Sequence, residues 1–148
     1  MSKKVQARNS VWYEIAAALK EFARIKPRTA AFAFRVRRLM RAIVPLGEDI
    51  EEQRQELIEI HRAIGSDGIP LRSEGGVPLT DAIAFGRELR ELMSEVVTLE
   101  VEPIRAEELE KEGIILTPDL AYRLGPVLLE PANTSDGVQE IALVEVPN

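Results

Sequence analysis

Apolar residues recur four and three apart along much of this chain, and the phase of that repeat predicts most of its elements. In "SVWYEIAAALKEFARI", residues 10–25, Val11, Ile15, Ala18, Phe22 and Ile25 share one face, which Leu19 widens. This predicts a first helix with Ser10 as N-cap, because a serine hydroxyl accepts from an orphan N–H of the first turn. "KPR" at 26–28 breaks the repeat. A second series runs Thr29, Phe32, Val36, Leu39, Ile43, Leu46, Ile50, Gln53, Leu57, Ile60 and Ile64. It passes through Pro45 without losing phase, whereas an intervening loop would normally shift the register. The favoured reading is one long helix over 29–64 kinked at Pro45, with Gly47 supporting a local bend. Two stacked helices meeting at Pro45 are the alternative, since an interior proline costs about 3 kcal/mol. The second half opens acidic and closes on His61, Arg62 and Gly65, an order that suits the helix dipole and a glycine C-cap. The two helices are expected to form an antiparallel hairpin, the second overhanging the first, so that Leu57, Ile60 and Ile64 need a partner.

Beyond residue 65 the pattern changes. Residues 66–79 are turn-rich, and their two proline-bearing pieces, "IPLR" and "VPLT", predict a small β arm. "TDAIAFGRELRELMSEV", 80–96, reads as a helix capped by Thr80 or Asp81, with Ile83, Phe85, Leu89, Leu92, Met93 and Val96 inward. "VTLEVEPI", 97–104, alternates as a strand does, and "RAEELEKEG" is a charged helical turn. "LTPDLAYRLGPVLLE", 116–130, opens a helix with Thr117 as N-cap and Pro118 at its first position, and Gly125-Pro126 ends or bends it. After a linker-like stretch, "VQEIALVEV" predicts a terminal strand. The expected fold class is α+β and mostly helical: a helical hairpin with one long helix, a small β arm and a short sheet. It is expected to form one domain over 1–130, with 131–148 as an extension.

Charge and chemistry narrow the function more than they define it. The net charge of −6 conceals an asymmetry: residues 1–41 hold eleven Lys/Arg and two Glu, and residues 42–148 hold eight Lys/Arg and twenty-three Asp/Glu. The favoured explanation is that basic and acidic helices pair across their seam; the alternative is a basic face for nucleic acid or an acidic partner, carried by Arg35, Arg37, Arg38 and Arg41. With no cysteine and one histidine, a zinc site is not expected. The acidic runs lack the alternating ligands and central glycine of a calcium loop. No catalytic, cofactor-binding or metal-ligating residues are assigned, and no cofactor is expected. No apolar run is long enough to form a signal peptide or membrane span, so a soluble protein is expected.

Four segments, "IKPRTAAFAFRVRRLMRAI", "EEQRQELIEIHRAIG", "FGRELRELMSEVVTLEVEPI" and "LTPDLAYRLGPVLLE", resemble in order and apolar pattern a widespread family of small uncharacterised tailed-phage (siphophage) proteins of unknown function. The resemblance covers about residues 22–130. It places Arg28-Thr29-Ala30 at the turn that opens the family's long helix, while Pro45 and Gly47 depart from an uninterrupted one. It implies a phage origin, synthesis in the host cytoplasm, and a virion or assembly role through protein contact, and it supplies no catalytic residues. Contact is expected at Leu57, Ile60 and Ile64 on the overhang, Ile69 and Leu71 on the arm, and Ile141, Leu143 and Val144 in the tail, with self-association into a homo-oligomer. The alternative is a small regulator acting on host machinery or nucleic acid through the basic helix.

Overall fold

Thr29 opens the longest element. Its side chain accepts from the Phe32 backbone N–H (3.2 Å), and from there a helix runs unbroken from Ala30 to His61. The computed structural model describes residues 2–62, 68 and 79–129. Among them the order is β1 (Lys3–Arg8), α1 (Asn9–Phe22), α2 (Ala30–His61), α3 (Ala82–Ser94), β2 (Val96–Val101), β3 (Ile104–Arg105), α4 (Ala106–Glu112), α5 (Pro118–Leu124), a 3-10 turn (Gly125–Val127) and β4 (Leu128–Leu129). The fold is α+β and mostly helical. The arm at 66–79 and the tail at 131–148 fall almost wholly outside the described residues. So do Ile64, Ile69, Leu71, Ile141, Leu143 and Val144.

Continuity through Pro45 settles the choice between one helix and two. Pro45 is exposed, so its missing N–H leaves a carbonyl on the solvent side, where water can serve it. The seam opposite buries Phe32, Val36, Leu39, Ile43 and Ile50. Gly47 plays a different part from the bend expected of it. A Cβ there would lie 2.5 Å from the Cβ of Ala16, so glycine lets the two helices of the hairpin close together. The hairpin is antiparallel: Phe22 meets Phe32 edge-on at 6.3 Å near one end, and Tyr13 Oη donates to Glu51 Oε1 (2.7 Å) near the other.

The seam fades past Ile50, and α2 ends at His61 with Arg62, not Gly65, as its C-cap. The returning chain takes over the terminal carbonyls: Thr80 donates its backbone N–H to His61 (2.6 Å) and its hydroxyl to Arg62 (3.3 Å), and Leu79 bridges to Arg62.

Helix α1 is the centre of the molecule, contacting β1, α2, α3 and α5. It starts at Asn9, one residue before the expected cap, and Ser10 is inside it. The Asn9 backbone N–H donates to the Glu95 carbonyl (2.8 Å) and its Nδ2 to that of Leu92 (2.9 Å), so the C-terminal end of α3 anchors the start of α1. Trp12 is fully buried and its Nε1 donates to the Val97 carbonyl (2.9 Å). The helix finishes at Phe22, after which residues 23–25 form a tighter turn.

Residues 3–8, for which the apolar pattern predicts no element, form strand β1. It pairs antiparallel with β2 from Lys3↔Val101 to Arg8↔Val96. Val5 and Ala7 point into the core while Lys4 and Gln6 face out, as a period of two requires. The same alternation turns Val97, Leu99 and Val101 inward and leaves Val96 51% exposed, correcting its inward placement. Pro103, which has no N–H to offer a ladder, separates β2 from β3, and β3 pairs in parallel with β4. Asp81 caps α3 by accepting from Ala84 N–H, and Thr117 caps α5 by accepting from Leu120 N–H. Helix α5 stops at Leu124, where Gly125 and Pro126 pass into the 3-10 turn.

Candidate functional site: the apolar end of the hairpin and the basic helix

Two surfaces were marked by the sequence, and the fold treats them differently. On the basic stretch of α2, Arg35 is largely withdrawn from solvent. Its guanidinium reaches Glu102 (2.6 Å) and Glu108 (2.6 Å) and donates to the Pro103 carbonyl (2.9 Å), fastening α2 to the β2–α4 connection. Arg38 is more exposed and stands 3.7 Å from Glu102. Arg37 and Arg41 are exposed and form no ion pair among the described residues. Arg35, and Arg38 in part, are thus paired with Glu102 and Glu108, off the seam of the hairpin. A groove of about 320 Å³ bordered by Arg35 and Arg38 also contains Glu100 and Glu102, carboxylates that repel a phosphate.

A further carboxylate governs where the basic helix begins. Glu112, at the end of α4, is buried; one oxygen accepts from the N–H groups of Arg28 (2.6 Å) and Thr29 (3.0 Å), the other from the Thr29 hydroxyl (2.7 Å). The negative charge meets the positive end of the helix dipole. Burial favours the protonated form, but the Thr29 hydroxyl and the backbone donors outweigh it and hold the carboxyl below the ordinary range. Arg28 lies over Gly113, whose left-handed backbone (φ 68°) ends α4 and whose missing Cβ leaves room for the guanidinium.

At the other end of α2 the surface is apolar. Leu57 is half-buried and Ile60 is 72% exposed. Beside them lies α3, none of whose residues is buried. Phe85, Leu89, Leu92 and Met93 share one side of α3 and are half-covered. Ile83, expected inward, is 80% exposed because it falls on a different side of the helix from Leu89 and Met93. The polar contact joining the two helices is His61 with Glu88 (Nε2 to Oε2, 2.5 Å), with Phe85 standing edge-on to the imidazole at 6.0 Å. The partner stands on α3, 27 residues away, where spacing along His61's own helix gives no sign of it.

An apolar cleft of about 240 Å³ opens between the end of α1 and the start of α2, lined by Phe22, Phe32, Val36, Met40 and Ile114 with Arg37 at its rim. It is smaller than most small-molecule sites. Among the described residues no three His, Asp or Glu side chains converge as a metal-ligating set. No described helix is long and apolar enough to cross a membrane.

No family model, curated protein or solved structure matches this chain.

Proposed function

We propose that this is a non-enzymatic phage protein that works by protein–protein contact, as a virion component or an assembly factor, through the surface shared by the end of α2 and α3. The phage assignment rests on the resemblance in segment order and apolar pattern. The observation that carries the contact role is that α3, amphipathic in sequence, buries no residue, while Ile60 at the end of α2 and Ile83 on α3 itself stand 72% and 80% exposed. An apolar helix pair left open in this way gains most by covering itself with another protein surface, and a second copy is the simplest partner.

Mass in solution by light scattering, at low and high salt, tests this. At high salt the expected result is an oligomer that Ile60→Glu combined with Ile83→Glu converts to monomer while the far-UV circular dichroism is unchanged. A wild-type oligomer indifferent to both substitutions would remove this surface from consideration.

One observation favours a second reading, a regulator that binds nucleic acid: Arg37 and Arg41 are exposed and form no ion pair among the described residues. The carboxylates of Glu100 and Glu102 beside Arg38 weigh against it. Titration with duplex DNA at low salt discriminates, since only this reading expects binding that Arg37→Glu weakens.

A further inference from the structure

The outer side of α2, opposite Ile43, carries charge of opposite sign at its two ends. At about 100° per residue, Arg37, Arg41, Glu48, Glu52 and Glu56 fall on one stripe, which Pro45 shares, and every one of them is exposed. None forms an ion pair among the described residues. Their order runs against the helix dipole, which favours acidic groups toward the N-terminus and basic groups toward the C-terminus. The arrangement thus contributes nothing favourable to α2 itself and enlarges the dipole that α2 presents to its surroundings.

We propose that this stripe docks a second copy of the chain, the two α2 helices lying antiparallel about a two-fold axis that passes between Leu46 and Gly47. Around that axis Arg37 faces Glu56 of the partner subunit and Arg41 faces the partner's Glu52. The spacing supports this placement: Arg37 and Arg41 are four residues apart, as are Glu52 and Glu56, so one turn of each helix matches one turn of the other. The two-fold repeats both pairs, giving four ion pairs, and brings exposed Pro45 close to the axis. A parallel arrangement would set like charge against like. Pairs of this kind are exposed, so each is weak and screened by salt, and the dimer they form is salt-labile. This contact uses α2 between Arg37 and Glu56 and does not rest on the apolar surface formed by Ile60 and α3.

Charge exchange tests the proposal. Sedimentation of the full chain carrying Ile60→Glu and Ile83→Glu, which together remove the apolar contact, is expected to give a dimer at about 0.1 M salt that dissociates toward about 1 M, as the Debye length falls from about 10 Å to about 3 Å. One double variant, Arg37→Glu with Arg41→Glu, makes the stripe wholly acidic. The other, Glu52→Arg with Glu56→Arg, makes it wholly basic. Each alone is expected to weaken the dimer by roughly tenfold or more, and an equimolar mixture of the two to regain the dimer mass. The mixture also excludes misfolding as the cause of either loss. In that background a monomer at low salt, a dimer unaffected by salt, double variants that dimerise as the parent does, or a mixture that stays monomeric would each overturn the proposal. In the unsubstituted chain, association at low salt that the charge variants leave untouched and Ile60→Glu with Ile83→Glu abolishes would overturn it in favour of the apolar surface.

Discussion

Gly47 and Ala16 meet where a single added methyl group would be 2.5 Å from the Cβ of Ala16, so the hairpin closes on two of the smallest side chains available. Alanine is the better helix former by about 1 kcal/mol, yet overpacking a closed interface costs roughly 1–3 kcal/mol. Gly47→Ala is therefore expected to destabilise the protein despite its helix propensity. Adding Ala16→Gly returns part of the loss, a coupling that a double-mutant cycle in urea measures. Additive effects would show that the two positions do not touch.

Pro45 makes the opposite prediction. Its ring is exposed and α2 is continuous through it, so alanine restores one N–H to the Arg41 carbonyl without disturbing the core. Part of the gain is offset because proline also restricts the unfolded chain. A net rise of about 1 kcal/mol or more is expected for Pro45→Ala, seen as a higher Tm. A lower Tm would mean that the local geometry at proline is needed for the packing around it.

Acid should expose the two polar clusters that join α2 to its neighbours. Hydrogen bonds from Arg54, Gln55 and Tyr13 bring the Glu51 carboxyl down from an ordinary 4.5 to about 2, and Glu112 is also held low by its donors. In this window the unfolded chain binds more protons than the native one, so stability rises with pH. The contribution is complete above pH about 4.5 and is lost as pH falls through the folded values, toward about 2 for Glu51. Thermal melts across that window are expected to show a falling Tm, with a shallower slope for Glu51→Gln. At neutral pH, Glu112→Gln is expected to lower Tm, because an amide oxygen cannot replace a charge at a helix N-terminus. An unchanged slope in the first variant would detach Glu51 from acid stability.

Trp12 is the one tryptophan in the chain and is fully buried, so its fluorescence reports native packing directly. A blue-shifted emission that moves red in urea is expected for the wild type. Trp12→Phe removes the hydrogen bond from Nε1 to the Val97 carbonyl and is expected to cost about 1–3 kcal/mol, followed by circular dichroism because the fluorophore is gone.

What could be read from sequence was what repeats locally. The seam from Phe32 to Ile50, the caps at Asp81 and Thr117, and the stop at Gly125 and Pro126 follow from spacing and side-chain chemistry within a few residues. What was missed depends on partners far along the chain. Val5 and Ala7 carry too little alternation to announce a strand until Leu99 and Val97 are known to face them. Trp12 lies outside the four-three stripe because α1 packs on several sides at once. Gly47 was credited with a bend because nothing nearby in sequence marks Ala16 as its neighbour. The candidate contact residues divide in the same way: exposure of Ile60 follows from the overhang that the repeat implied, whereas withdrawal of Arg35 depends on Glu102 and Glu108, more than sixty residues away.

The bonds that secure β1, Asn9, Trp12 and Thr29 come from Val96–Val101, Leu92, Glu95, Val97 and Glu112. On a ribosome the hairpin of α1 and α2 can close early through Phe22, Phe32 and Ile43, but Val5, Ala7 and Trp12 wait uncovered until β2 has left the exit tunnel. Pairings of such long sequence separation are slow to find and leave nascent surface open to other proteins. Residues 3–12, translated before every helix of the hairpin is complete, are thus among the last to become native.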